Sequence, residues 1–207
     1  MAEAGPSPGH LFIVSAPSGA GKSTLCAAAR ERFPDLRYSI SATARPPRPG
    51  EVHGEDYFFV SEDAFKKGIE ENRWAEWAVV HGNYYGTPAD FIQKTLADGR
   101  DILLDIDVQG AEQLIDRFPD SVSIFIMPPS EEVLRDRLEK RGTDDPAVIR
   151  RRMENARKEM AVKDRYRHII VNDDLSRAVN QFVDIIGRHR RRRHDRSQDP
   201  SGGKGGR

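Results

Sequence analysis

An α/β fold built on a mainly parallel sheet is the class this sequence predicts, and three observations predict it. Short apolar runs alternate with segments of helical periodicity. The runs are apolar at nearly every position, as strands covered on both faces are. The first run also passes directly into a glycine-rich loop and then a helix. A chain of 207 residues suits one domain, or a core with inserted lobes, and its 33 Lys+Arg balance 33 Asp+Glu.

Residues 1–9 read as a flexible N-terminus. Leu11-Phe12-Ile13-Val14 make the first strand, and beyond the loop Leu25, Ala28 and Ala29 continue at helical spacing. Residues 37–88 break the rhythm with prolines, glycines, aromatics and short extended pieces such as Tyr57-Phe58-Phe59-Val60, which predicts an inserted α+β lobe. The core then resumes over 89–187. Buried strands are predicted at 102–106, 122–127 and 168–171, with helices near 108–117, 130–140, 146–162 and 175–187. In the third of these helices Ile149, Met153, Ala156 and Met160 form an apolar row spaced four, three and four. Asp145 suits its N-cap and Pro146 its first position. Nine Lys/Arg and five Asp/Glu between 141 and 167 make this a basic helical flap.

The balanced net charge hides an asymmetry. Residues 188–207 hold seven Arg, one Lys and two Asp, a charge of +6 that leaves the rest of the chain at −6. With no apolar residue to offset its ordering entropy, this tail is expected to be disordered. Weak contact with polyanions is all it implies, and no specific nucleic-acid partner is expected. No apolar run approaches the roughly 18 residues that span a bilayer, and the start MAEAGPSPGH lacks the layout of a signal peptide. A cytoplasmic location without a membrane partner is the default expectation. One cysteine, Cys26, excludes an internal disulfide and a Cys-based zinc site and reads as a buried hydrophobe. The six His show no metal-ligand spacing.

The chemistry begins at Ala16-Pro17-Ser18-Gly19-Ala20-Gly21-Lys22-Ser23, followed by Thr24. This is a phosphate loop with Ala16 where the strict pattern has Gly. Its glycines let backbone N–H groups face a polyphosphate, the helix N-terminus adds partial positive charge, Lys22 reaches the terminal phosphates and Ser23 suits Mg²⁺. Asp105 and Asp107 stand two apart at the C-terminal end of a strand, where open α/β sheets bind ligands. They suit Mg²⁺, its waters or a nucleotide, unless one merely caps the next helix. In the lobe, which also holds Ser41, Glu76 and Thr87, Arg45 and Arg48 are bracketed by prolines, and with the hydroxyls of Tyr57 and Tyr85 nearby they make either a phosphate clamp or a solvated loop. Trp74 and Trp77 read as lobe packing. Arg137 and Arg141 share one helical face, and Arg152 borders the apolar row of the next helix; alone, they read as a solvated salt-bridging face.

The segments SAPSGAGKSTL, YSISATARPPRPGEVHGEDYFF, GNYYGT, LLDIDVQGA, PPSEEVLRDRLEKRG and IVNDDL carry a resemblance that the single motifs do not. In order and spacing, over residues 10 to about 187, the chain resembles the guanylate kinases of bacterial type. Ala16 and Ala44, the latter where the family often has Thr, are small departures that remove no charged group. The resemblance implies a P-loop nucleoside monophosphate kinase fold, in which a parallel core carries an inserted nucleotide-binding lobe at 37–88 and a helical lid at about 137–155. It also implies transfer of the γ-phosphoryl of ATP to GMP with Mg²⁺. Residues Ala16 to Thr24 would bind ATP, with Ser23 on the metal. Ser41, Glu76 and Thr87 would face guanine, and Arg45, Arg48, Tyr57 and Tyr85 would hold the GMP phosphate. Asp105 and Asp107 would serve the nucleotide and metal region. Lys22, Arg45 and the lid arginines Arg137, Arg141 and Arg152 would stabilise the transferring group. A homo-oligomer is compatible with this reading. Scaffold modules of related sequence typically lose phosphate-loop and lid groups, whereas all of them are present here, and a sugar-phosphate kinase would have no use for Glu76 and Thr87.

Overall fold

The computed structural model of the chain describes residues 7–80, 82–140 and 145–198. From the N-terminus, β1 (Leu11–Ser15) leads into α1 (Lys22–Arg32) and β2 (Arg37–Tyr38). Next come β3 (Ala42–Thr43), β4 (Phe58–Phe59), α2 (Glu62–Glu70), β5 (Trp74–Val80) and β6 (Asn83–Pro88). The chain continues through α3 (Ala89–Ala97), β7 (Ile102–Asp105), α4 (Val108–Arg117), β8 (Val122–Met127) and α5 (Glu131–Lys140). It ends with α6 (Pro146–Ala161), β9 (His168–Val171) and α7 (Leu175–Gln198).

Five strands pair in parallel in the order β2-β7-β1-β8-β9, so the order reverses at β1. Successive side chains of a strand point to opposite faces, and the two faces fill accordingly. Phe12 and Val14 join Leu103, Ile124 and Ile126 on one side, under Leu25, Cys26 and Ala29 of α1 and Ala178, Phe182 and Ile186 of α7. Leu11 and Ile13 join Leu104 and Phe125 on the other, under Ile92 of α3 and Ala111 and Leu114 of α4. Each such fully buried Phe, Leu or Ile contributes about 1.5–3 kcal/mol of transfer free energy. Cys26 is buried here, as its composition suggested, and burial raises its thiol pKa.

The second sheet, β4-β3-β6-β5, forms the lobe. Its inner boundary differs from the sequence reading of 37–88. β2 belongs to the core: Arg37 N–H donates to Asp101 O at 2.9 Å, Ser39 N–H donates to Leu103 O at 3.0 Å, and the lobe begins only with β3. Helices α5 and α6 share a small core of their own, where Leu134 and Leu138 meet Ile149, Met153 and Ala156. Asp145 caps α6 as its sequence suggested, accepting from Ala147 and Val148 N–H at 2.7 and 3.1 Å.

Both termini depart from expectation where they are described. Gly9 is not a loose end, because its N–H donates to Leu96 O at 2.9 Å. The last helix does not stop at 187 but runs to Gln198, so the beginning of the tail is helical and not disordered. Polar contacts replace the missing apolar ones. Arg190 Nε donates to Asp101 at 2.8 Å, its Nη2 bonds Asp35, and its guanidinium lies 5.0 Å over the Phe33 ring. His189 packs edge-on against His10, Phe12 and His168. Residues 1–6 and 199–207 lie outside the described residues. Among those described, no helix is long and apolar enough to cross a membrane.

Candidate active site

The loop after β1 leaves the sheet at its carboxyl end, beside the point where strand order reverses. Gly19 and Gly21 take φ of +93° and +99°, backbone that only glycine adopts without strain, and Ala20 N–H closes the turn on Pro17 O at 3.0 Å. Gly21 is the N-cap of α1, with no side-chain cap and no acidic residue in the first turn. The unsatisfied N–H groups of that helix end therefore face outward as an anion site.

Lys22 Nζ lies 2.5 Å from the Asp105 carboxylate and donates to Ile106 O at 3.0 Å. Burial works against its charge, but the Asp105 pair outweighs burial and holds the ammonium pKa above its ordinary value. Tyr38 OH donates to the same carboxylate at 3.2 Å. Asp107 follows the capping alternative, accepting from Gln109 and Gly110 N–H at 2.8 and 3.3 Å as the N-cap of α4. The two aspartates thus have separate tasks in this state.

In the lobe, antiparallel pairing sets Glu76 of β5 opposite Thr87 of β6. Thr87 Oγ1 donates to Glu76 Oε1 at 2.6 Å, and Glu76 is only 3% exposed. Burial raises its carboxyl to about 7, against the hydrogen bonds from Thr87 and with help from Asp107. Arg45, also buried, is gripped by a residue the motifs had not singled out. Its Nη1 and Nη2 donate to both oxygens of Glu51 at 2.6 Å, and its Nε donates to Tyr85 OH at 3.1 Å. Its guanidinium also lies 5.1 Å from the Tyr57 ring. Glu51 additionally accepts from Arg48 N–H at 2.7 Å, and these bonds pull its carboxyl down to about 2. Arg48 is otherwise exposed, so of the two clamp arginines only Arg45 is embedded. Trp74 stacks on Phe65 at 4.3 Å and Trp77 leans on Tyr84, which are packing roles.

One cleft of about 500 Å³ is bordered by the phosphate loop, Ser41, Tyr57, Glu76, Tyr85, Asp105 and Asp107. Of the loop residues only Ala20 is turned away, into the core. Glu159 of α6 enters the same cleft, and burial raises its carboxyl to about 7, opposed by Lys22. Arg45, Arg48 and Thr87 do not border it, and neither do Arg137 and Arg152. Arg137 Nη2 donates to Asn172 O at 2.8 Å, Arg152 lies half-buried on α6, and Arg141 lies outside the described residues. Asn172 in turn donates from Nδ2 to Ala20 O at 2.7 Å, linking the phosphate loop to α5 through Arg137. Glu51 and Asn172 sit inside segments quoted for the resemblance, and Glu159 lies two turns beyond Arg152 on the same face of α6. A larger open hollow of about 1510 Å³ beside α1, β2 and α3 holds none of the predicted site residues.

The comparisons with known proteins agree with this geometry. The guanylate kinase family matches residues 9–189. The guanylate kinase of Geobacter sulfurreducens is 53% identical over 178 residues, covering 86% of this chain and 88% of that protein. That of Caldanaerobacter subterraneus subsp. tengcongensis is 49% identical, covering 86% of each. The crystal structure of guanylate kinase from Anaplasma phagocytophilum superposes with a TM-score of 0.70 at 30% identity, covering 88% of this chain and 87% of that one. A phosphate loop opening on the same cleft as a buried lobe carboxylate is thus matched by likeness along nearly the whole described chain, and the protein belongs to the guanylate kinase family.

Proposed function

We propose that this cleft transfers the γ-phosphoryl group of ATP to GMP, giving ADP and GDP. The observation that carries the reading is that the phosphate loop borders one cavity with Glu76, whose buried carboxylate is held from behind by Thr87. An oxygen of the GMP phosphate attacks the γ-phosphorus, the bond to the β–γ bridging oxygen breaks, and ADP departs. No nucleophilic side chain takes part, so catalysis rests on position and charge. The loop N–H groups and Lys22 receive the ATP phosphates. Arg45, Arg48, Tyr57 and Tyr85 hold the GMP phosphate, with Ser41, Glu76 and Thr87 toward guanine. Arg137, Arg141 and Arg152 reach the transferring group only when the lid closes, and closure excludes water.

The oxygen donors here fit Mg²⁺. Ser23 is exposed at the start of α1 beside Asp105 and Asp107, and among the described residues no three acidic or His/Cys side chains form a closed cage. That suits an ion held mostly by water and phosphate oxygens. Bound there through Ser23, with the aspartates nearby, Mg²⁺ supplies neutralisation of phosphate charge.

The test is a coupled ADP-release assay offering ATP with GMP, dGMP, AMP, UMP and a sugar phosphate, on the wild type and Glu76→Gln. An ionised Glu76 accepts from guanine N1–H and N2–H₂, donors that adenine does not present. GMP should therefore stand out for the wild type, and Glu76→Gln should lower GMP kcat/KM about tenfold or more while changing AMP turnover little. An unchanged GMP:AMP ratio would remove Glu76 from the base site.

A further inference from the structure

Gly110 lies in the first turn of α4, where alanine would be the better helix former. Its φ is not in the left-handed region, so the backbone does not require glycine. Space does. A Cβ built on Gly110 would overlap Glu76 Oε2 and stand 2.9 Å from Glu76 Cδ. The carboxylate thus rests against bare backbone.

The strand that carries Glu76 cannot simply back away. Gln113 Nε2 donates to Trp77 O at 2.7 Å and its Oε1 accepts from Trp77 N–H at 3.2 Å, while Arg117 Nη1 donates to Ala75 O at 3.2 Å. Gly110, Gln113 and Arg117 are three and four apart, one face of α4, and they hold β5 on both sides of residue 76. On the far side, Thr87 grips the other carboxylate oxygen at 2.6 Å. A methyl group at 110 must therefore turn the carboxylate and not the backbone.

We propose that Gly110 is a specificity-determining position, whose missing side chain gives the Glu76 carboxylate the place from which it reads guanine. This rests on the reading that Glu76 meets the base. Hydrogen bonds tolerate only a few tenths of an ångström, so a displaced Oε2 loses its share of the guanine donors.

The experiment is a double-mutant cycle of Gly110→Ala and Glu76→Ala, reading GMP and ATP kinetics and melting temperature. Gly110→Ala alone should raise KM for GMP roughly tenfold or more, leave KM for ATP unchanged, and melt no lower than wild type. With Glu76 already truncated, the same change should leave the kinetics unaltered and should not lower melting, because nothing remains to be displaced. Normal GMP kinetics in Gly110→Ala, or an equal loss in both backgrounds, overturns the inference. Should Gly110→Ala melt lower through the overlap, adding Glu76→Ala must restore the melting temperature, and a double variant that stays low also overturns it. Unchanged GMP kinetics in Glu76→Ala alone identifies the base-site reading as the part that failed, and this inference falls with it.

Discussion

Acidification should weaken guanine binding through a single carboxyl. Glu76 is 3% exposed, and burial places its carboxyl at about 7 despite the Thr87 hydrogen bonds, with Asp107 adding to the rise. Only the ionised form accepts from both N1–H and N2–H₂. Between pH 8 and pH 6 the ionised fraction falls from roughly nine-tenths to roughly one-tenth, so affinity should drop about tenfold. Two donors in the complex draw the carboxyl back down, and at pH 7 binding should release about half a proton. Calorimetry in two buffers of different ionisation enthalpy counts that proton. Guanosine is the ligand to compare with GMP, since it lacks a phosphate that ionises near pH 6. Glu159, also at about 7 in the same cleft, is the control: Glu159→Gln should keep the proton release and Glu76→Gln should abolish it. The same shift affects stability. With the folded value raised, the neutral form's contribution is full below the usual carboxyl range and is lost as pH rises through about 7, so Glu76→Gln should flatten that part of the melting profile. Proton release that persists in Glu76→Gln, or affinity independent of pH, would refute the argument.

Three further outcomes follow from other contacts. Lys22→Met and Arg45→Lys, each folded by circular dichroism, should lower kcat/KM for GMP by about 10² or more, because each removes a preorganised donor or a bidentate fork; near-normal rates would sink either role. Asn172→Ala, which removes the bond to Ala20 O, should raise KM for ATP severalfold and leave KM for GMP alone, as steady-state kinetics can check. Arg190→Ala should cost about 2 kcal/mol, or roughly 4–8 °C in melting temperature, because it removes the guanidinium paired with Asp101, whose side chain is 1% exposed; an unchanged melting curve would mean that the end of α7 does not dock.

The core was legible because its signals are local. Val122–Met127 and His168–Val171 were bounded correctly by runs that are apolar at nearly every position, and the start of α6 by Asp145-Pro146 followed by a row of period 3.6. The phosphate loop was legible because its chemistry demands fixed residue types at fixed spacing. What failed was decided at long range. Arg37 and Tyr38 carry no strand signal, yet β7 pairs with them across 65 residues of chain. The end of α7 is polar throughout, and Arg190 finds its acids 89 and 155 positions away. Glu51 escaped notice for a similar reason: a glutamate in a Pro/Gly loop looks solvated until Arg45 is seen to close on it.

Two cations of the proposed site rest on carboxylates, Lys22 on Asp105 within the cleft and Arg45 on Glu51 in the lobe. Bare, they would collect whatever small anion is abundant. Paired, and if they serve the phosphates as proposed, they make substrate entry an ion exchange, in which an incoming phosphate displaces a resident carboxylate. Chloride offers one diffuse charge against a two-point hold at 2.6 Å, whereas a phosphate dianion brings more charge and more acceptor oxygens to the same fork. Selection in such a cleft therefore begins with charge density, before any base is read.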